Sequence, residues 1–264
     1  GGDRRRQADE VSVGLLGADW QADPATGRYR LHKVFRVPDW TAGVTPPLAG
    51  PGRDVREGDL LLAVDGRDVT TEREIYAHFL GLAGRQVRLS FSRGSTGEER
   101  FEVVTTTLDS ERVLRYLDWV EGNRRRVEEA SGGRLGYLHL PDTFLGSAVE
   151  LPKYLYSQTT KQGLVVDARF NGGGLDPHVV LHRLARRPLS YWTRRYSHDQ
   201  VGPLWATSAH MVCLTNLYAG SGGDELPHLF RAMGLGPVIG TRTWGGLVGV
   251  SMSVPLVDGG PITA

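Results

Sequence analysis

Cysteine is nearly missing: Cys213 stands alone among 264 residues, so the chain can form no internal disulfide. Its setting, MVCLTNLYA, reads as a buried strand in which the thiol behaves as a small hydrophobe rather than as a nucleophile. Long apolar runs are also lacking, since no stretch approaches the roughly 18 residues that span a bilayer. The opening GGDRRRQADE has no apolar core of a signal peptide. These absences argue against membrane insertion and fit a reducing, cytoplasmic setting. Charge of one sign is missing too: Lys+Arg 31 against Asp+Glu 30 leaves +1, with no global drive toward nucleic acid or anionic lipid. No repeat of fixed period occurs, which sets aside solenoids and propellers. The chain begins without Met or a clear element start and stops at GGPITA, and it is expected to be a piece of a longer protein.

What is present is an ordinary globular balance, 40% hydrophobic and 23% charged, with 35 glycines concentrated in short turn-like clusters. At roughly 150 residues per domain, the length predicts one to two compact units. From Val11 to Thr107, short β-type runs alternate with turns, and Asp65-Gly66 between apolar runs predicts a hairpin. Within TTEREIYAHFLGLAG, Ile75, Phe79 and Leu82 share a helical face, with Gly84 as a stop. This predicts a β-rich domain over residues 11–108, with residues 1–10 a remnant of a preceding segment. Asp109 or Ser110 then caps a helix of about five turns, on which Val113, Leu117, Val120 and Val127 follow helical spacing until Gly132-Gly133. Strands RLGYLHL, GLVVDARF, AHMVCLTN and GPVIGTR alternate with helical segments around Ser147–Ser157, Pro177–Arg186 and Gly223–Met233. Such alternation, with near-continuous apolar strands, predicts a mostly parallel α/β domain over residues 109–264, truncated at its C-terminus.

Two segments place glycines directly after a buried strand, at the edge where α/β proteins build their sites. VVDARFNGGG (Val165–Gly174) strips the side chains from a turn and lets amides face an incoming carbonyl or phosphate. In NLYAGSGGD (Asn216–Asp224), Ser221 lies between glycines where a strand turns into a helix, exposing its Oγ at a helix N-terminus. An accessible serine with N–H donors nearby suits nucleophilic acyl transfer, while Ser221 as a plain N-cap is the blander alternative. Neither segment fits the GxxxxGK[ST] or GxGxxG phosphate patterns, so a nucleotide site is the weaker choice. A serine needs a base, and spacing selects none. His228 lies on the same helix, and nothing favours His139 or His210. His178 and His182 pair at i, i+4 without a carboxylate or Cys to complete a metal set, so neither metal nor cofactor is expected. Arg124–Arg126, near Glu128 and Glu129, read as a solvated or interface face, and Arg4–Arg6 form a second basic cluster.

These segments, followed by LGPVIGTRTWGGLVG (Leu235–Gly249), resemble the peptidase core of the tricorn protease family, in the clan of the carboxyl-terminal processing peptidases. REGDLLLAVDGRDV (Arg56–Val69) and GLLGADW (Gly14–Trp20) resemble strands of the PDZ domain in that clan. The resemblance implies an α+β / α/β fold class: a small PDZ-like domain followed by a mostly parallel, ClpP/crotonase-like serine peptidase core. It implies a serine endopeptidase acting on short peptides within a homo-oligomer, with a hexamer as the expected size. Ser221 matches the nucleophile, and the backbone N–H groups of Gly174 and Gly222 match the oxyanion hole. Trp192, Thr243, Trp244, Gly245 and Gly246 match substrate contacts, with Thr241–Gly249 lying along the peptide as an extended strand. In the family the general-base His belongs to a Ser-His motif just before the PDZ domain, and a supporting Glu lies further C-terminal. Neither is matched here, nor are the family's N-terminal propellers. The archaeal member's aspartate that favours basic residues before the cut falls where this chain has Trp192, so Tyr191 and Trp192 imply apolar substrates. The alternative is a non-catalytic PDZ peptide-binding or scaffold module.

Overall fold

A computed structural model describes residues 11–38, 43–50, 52–94, 99–247, 249 and 256–257. The remnant expected at residues 1–10, the Arg4–Arg6 cluster and most of the chain after Gly249 lie outside the described residues. The chain divides into two compact units, one up to Glu121 and one from Gly122 on.

The first unit is an antiparallel sheet of β1 (Ala18–Asp23), β2 (Arg28–Val34), β3 (Leu60–Val64), β5 (Gln86–Arg93) and β6 (Glu99–Thr106), in that order, with β4 (Arg67–Asp68) paired to β3. Asp65 (φ 49°) and Gly66 (φ 76°) form the two-residue link between β3 and β4, the left-handed pair that an Asp-Gly hairpin favours. Alternate strand residues, among them Leu31, Leu61, Leu89 and Phe91, point into one core. Each such fully buried side chain contributes about 1.5–3 kcal/mol of transfer free energy.

The helix expected around Ile75–Leu82 is only a short 3₁₀ turn, Ile75–Phe79. Ile75 and Phe79 are buried as expected. Leu80, however, leaves the helix at ψ 129° to bridge Val13, and the Gly81 amide donates to the Ser12 carbonyl at 2.7 Å. A long-range pairing takes the donors that a longer helix would have used.

Helix α1 (Arg112–Ala130) is 19 residues long, and the division between the units falls inside it. Its first turns are tied to the sheet unit: the Gly17 amide donates to Glu111 at 2.7 Å, and Arg115 pairs with Asp19 at 2.8 Å. Leu114 is buried where Val113 was expected, and Val113 is exposed.

The second unit is a parallel sheet in the order β7 (Leu135–His139), β8 (Gly163–Asp167), β11 (His210–Thr215), β12 (Val238–Gly240). Helices α2 (Leu145–Leu155), α3 (Pro177–Leu184) and α4 (Gly222–Ala232) lie in the crossovers. An exposed hairpin, β9 (Ser190–Arg194) with β10 (Ser197–Gly202), interrupts the passage from α3 to β11. The α/β alternation thus stands, with this hairpin as an addition. Cys213 is fully buried in β11, and burial, together with the charge of Asp167, pushes its thiol up to about 12. Among the described residues, no helix is long and apolar enough to cross a membrane.

Candidate active site

Both glycine turns leave C-terminal ends of adjacent strands, β8 and β11, which places them side by side. Beneath the first, Asp167 is fully buried. It accepts from Tyr137 Oη at 2.7 Å and from Arg169 Nη2 at 2.6 Å. Burial, reinforced by the Asp167 charge, pushes the Tyr137 phenol well above its ordinary value, so it stays protonated and donating. His139 is buried beside them with Nε2 donating to the Arg169 carbonyl at 2.8 Å, and burial lowers its pKa. This polar network fixes the backbone at residues 167–169, from which the turn departs.

Asn171, with no exposed surface, organises the turn. Its Nδ2 donates to the Leu140 carbonyl and its Oδ1 accepts from the Gly173 amide, both at 2.9 Å. Its carbonyl accepts from the Gly220 amide at 3.1 Å, which joins the first turn to the second. The far side is laced to residues 141–143: Gly172 N–H donates to the Pro141 carbonyl and Thr143 N–H to the Gly173 carbonyl, both at 2.9 Å. Asp142 holds that strand end by accepting the amides of Phe144, Gly146 and Ser147 at the start of α2, each at 2.9 Å.

The absence of side chains is what lets the turns meet. A Cβ on Gly173 would lie 2.7 Å from both the Gly220 carbonyl and Ser221 Cβ. One on Gly222 would lie 2.2 Å from Thr143 Oγ1 and 3.1 Å from the Gly174 nitrogen. The Gly174 and Gly222 amides therefore neighbour each other, and neither donates a hydrogen bond among the described residues.

Ser221 occupies the N-cap position of α4 at φ 55°, ψ −123°, a region that non-glycine residues rarely adopt. Its side chain makes no capping bond; only its carbonyl serves the helix, accepting from Asp224 N–H at 2.8 Å. The plain N-cap alternative therefore does not account for the hydroxyl, which stands partly exposed at the positive end of the helix dipole.

The segment after β12 is anchored to the same turn. Trp244 N–H donates to the Ala219 carbonyl at 2.9 Å, and Asp224 accepts the amides of Gly245 at 2.7 Å and Gly246 at 3.1 Å. The Trp244 ring covers Gly220, where a Cβ would come within 2.9 Å of it. Trp192 sits on β9, 64% exposed, with its indole nitrogen facing Gly202 of the paired strand. The structure thus brings together Ser221, Gly174, Gly222 and Trp244–Gly246, while Trp192 lies on the separate hairpin. Asn171, Thr143, Asp142 and Asp224 are positioning residues that sequence reasoning missed. The one available signal was that polar residues bracket each glycine turn.

No histidine is hydrogen-bonded to Ser221 among the described residues. His139 is committed to Arg169, His178 lies 3.9 Å from Glu225, and His210 and His228 are exposed. No group of three or more His, Cys, Asp or Glu that could hold a metal occurs among the described residues.

Comparison with known proteins assigns the class first: residues 134–264 match peptidase family S41, and residues 14–109 match the tricorn protease PDZ domain. The chain is 38% identical over 250 residues to tricorn protease homolog 1 of Streptomyces coelicolor and 34% identical over 255 to the tricorn protease of Thermoplasma acidophilum. These alignments cover 95% and 97% of the chain and 23% of each relative. A crystal structure of the tricorn protease superposes with a TM-score of 0.88 at 32% identity, over 96% of this chain and 24% of that one. The chain belongs to the tricorn protease family, and it spans about a quarter of the length of these relatives.

Proposed function

We propose that the chain carries the nucleophile and oxyanion donors of a serine endopeptidase that hydrolyses short peptides. The observation that carries the reading is Ser221: a hydroxyl unspent on capping, in a strained conformation, beside two amides that have no acceptor among the described residues. In this reading, Ser221 Oγ attacks the peptide carbonyl carbon, and the developing oxyanion is held by the N–H groups of Gly174 and Gly222 at the N-terminus of α4. Collapse breaks the C–N bond, the amine leaves with the proton taken from Ser221, and water then hydrolyses the acyl-enzyme. The base that carries this proton is a histidine supplied by chain outside the 264 residues, supported by a glutamate, as the family resemblance implies.

Thr243–Gly246 run along the bound peptide. Since the amides of Trp244, Gly245 and Gly246 are already engaged, pairing falls to Thr243 and to the carbonyl groups of the segment. Trp192 contributes an apolar contact from its hairpin. The working protein is a homo-oligomer, a hexamer in this proposal, in the cytoplasm, without metal or cofactor.

The test is peptide hydrolysis by the full-length parent. Ser221→Ala should abolish it, together with covalent labelling of the wild type by a fluorophosphonate; turnover at the wild-type rate in that variant would refute the assignment. That no histidine is bonded to Ser221 among the described residues favours a second reading, a PDZ peptide-binding module on an inactive scaffold. That reading predicts no labelling even in the full-length protein.

A further inference from the structure

The sheet unit matches a PDZ domain. Domains of that kind take an extended peptide as an added strand at a sheet edge, and a loop of backbone amides can hold a terminal carboxylate. β1 is such an edge, the last strand of its sheet, paired with β2 alone among the described strands. The amides where the loop Gly14–Gly17 enters β1, those of Gly17 and Ala18, both face one carboxylate oxygen.

That oxygen belongs to the chain itself. Gly17 N–H donates to Glu111 Oε1 at 2.7 Å, and Ala18 N–H donates to the same atom at 3.4 Å. Glu111 Oε2 accepts Nε and Nη2 of Arg115 at 2.9 and 2.7 Å, and Arg115 Nη1 reaches Asp19 on β1 at 2.8 Å. Glu111 is buried, so its charge depends on such donors, and both of its oxygens have them. By position it is the N-cap of α1, since its carbonyl accepts the Arg115 N–H at 2.9 Å. An N-cap side chain ordinarily turns back to its own helix; this one crosses to β1 instead. Leu114, fully buried, closes over the loop, with Cδ1 2.8 Å from where a Gly17 Cβ would stand. Tyr76 of the 3₁₀ turn is within range of the same carboxylate: burial, and then the Glu111 charge, raise its phenol.

We infer that the amides of Gly17 and Ala18 form a carboxylate site whose ligand is the Glu111 side chain, so that this unit docks the first turns of α1 and captures no free peptide terminus. Glu111, Leu114 and Arg115 all lie past residue 109, where the PDZ match stops, so the occupant is supplied from outside the matched domain. A glutamate suits the place better than its amide would. Either orientation of a glutamine turns an NH2 group toward donors, at Gly17 or at Arg115. The inference does not depend on the serine-peptidase reading. It bears on the alternative of a PDZ peptide-binding module, whose carboxylate loop is already filled.

Hydrogen exchange read by mass spectrometry tests it, on the full-length protein carrying Ser221→Ala so that added peptides stay intact. The Gly17 amide should be protected with no peptide present. An excess of short peptides ending in Val, Leu or Phe should leave its rate unchanged, whether the terminus is a free carboxylate or an amide. In Glu111→Ala the Gly17 amide should exchange about tenfold faster or more, the effect of losing one charge-assisted hydrogen bond. Acetate should slow it again, and acetamide should not. Glu111→Gln, nearly the same in shape, should also exchange faster than the parent. Protection across β5 and β6 shows that a variant is folded, and the measurement without a Glu111 substitution stands if one is not. The inference is overturned if Gly17 gains protection only from peptides with a free carboxylate while Glu111 is in place, if Glu111→Ala exchanges at the parent rate, or if acetate acts no better than acetamide. A failure of Ser221 as nucleophile moves none of these rates.

Discussion

Replacing Ser221 by glycine should stabilise the α/β unit while removing its reactive group. Ser221 is held at φ 55°, ψ −123°, where a Cβ is strained by of order 1–3 kcal/mol. Glycine adopts these angles freely but gives back roughly 0.5–1 kcal/mol through the larger freedom of its unfolded chain. The serine hydroxyl makes no capping bond, so its loss forfeits no helix contact, and glycine is itself an acceptable N-cap. The net expectation is a gain of about 1 kcal/mol, or roughly 3 °C in the transition temperature of a unit this size. Differential scanning calorimetry of wild type, Ser221→Ala and Ser221→Gly measures it. Ser221→Ala keeps the Cβ and the strain and should melt near wild type, so the difference between the two variants isolates the backbone term. A glycine variant no more stable than the alanine variant would show that the turn stores no strain at the nucleophile position, and the argument from conformation would fail.

Three other outcomes follow from the same contacts. Asp224→Ala frees the Gly245 and Gly246 amides and should raise KM for peptides by about tenfold, the scale of one charge-assisted hydrogen bond; an unchanged KM in steady-state assays of the full-length protein would mean the segment does not hold substrate. Cys213, buried and pushed up to about 12, should leave a thiol reagent such as DTNB unreacted at pH 8 until denaturant is added, whereas prompt reaction in the native protein would contradict its burial. His139 has its pKa lowered by burial, so below its unfolded value of about 6.5 the unfolded chain binds more protons and stability falls with falling pH. His139→Gln should flatten that part of the slope, at most about 1.4 kcal/mol per pH unit, in urea titrations compared at pH 7 and 5.5.

Features that act locally were legible in the sequence. Asp65-Gly66 announces its turn because few other pairs accept two left-handed residues in succession, and the glycine clusters announce close approach because deleting a Cβ is visible in the chain. Alternation of apolar strands with capped helical segments likewise gave the parallel sheet. What escaped depends on partners distant in sequence. The helix expected to run to Leu82 ends at Phe79 because Leu80 pairs with Val13, and no window around residue 80 contains that information. The burial of Leu114 in place of Val113 is likewise a matter of which face of α1 the rest of the fold covers. The β9–β10 hairpin is exposed throughout β9, so it lacks the buried–exposed alternation by which a strand is read. Asn171, Thr143 and Asp224 work through main-chain partners, and as single polar residues they look like any turn residue.

The unpaired groups in the second unit bear directly on function. A folded chain leaves few buried polar atoms without a partner, because each costs about 1–3 kcal/mol. Here the Thr143 hydroxyl has none, and the Gly174 and Gly222 amides and the Ser221 hydroxyl beside it make no bonds among the described residues. Thr215 Oγ1, at the end of β11, is also without a partner, but the first glycine turn and the start of α2 are well paired: Asn171 uses both ends of its amide, its own N–H and its carbonyl, and Asp142 takes three amides. A fold that merely needed a tight turn would gain by capping α4 with the serine and by allowing a Cβ at Gly222. Donors and hydroxyls left free at one point, at the positive end of a helix, are what the proposed acyl transfer requires of the group that receives a carbonyl oxygen.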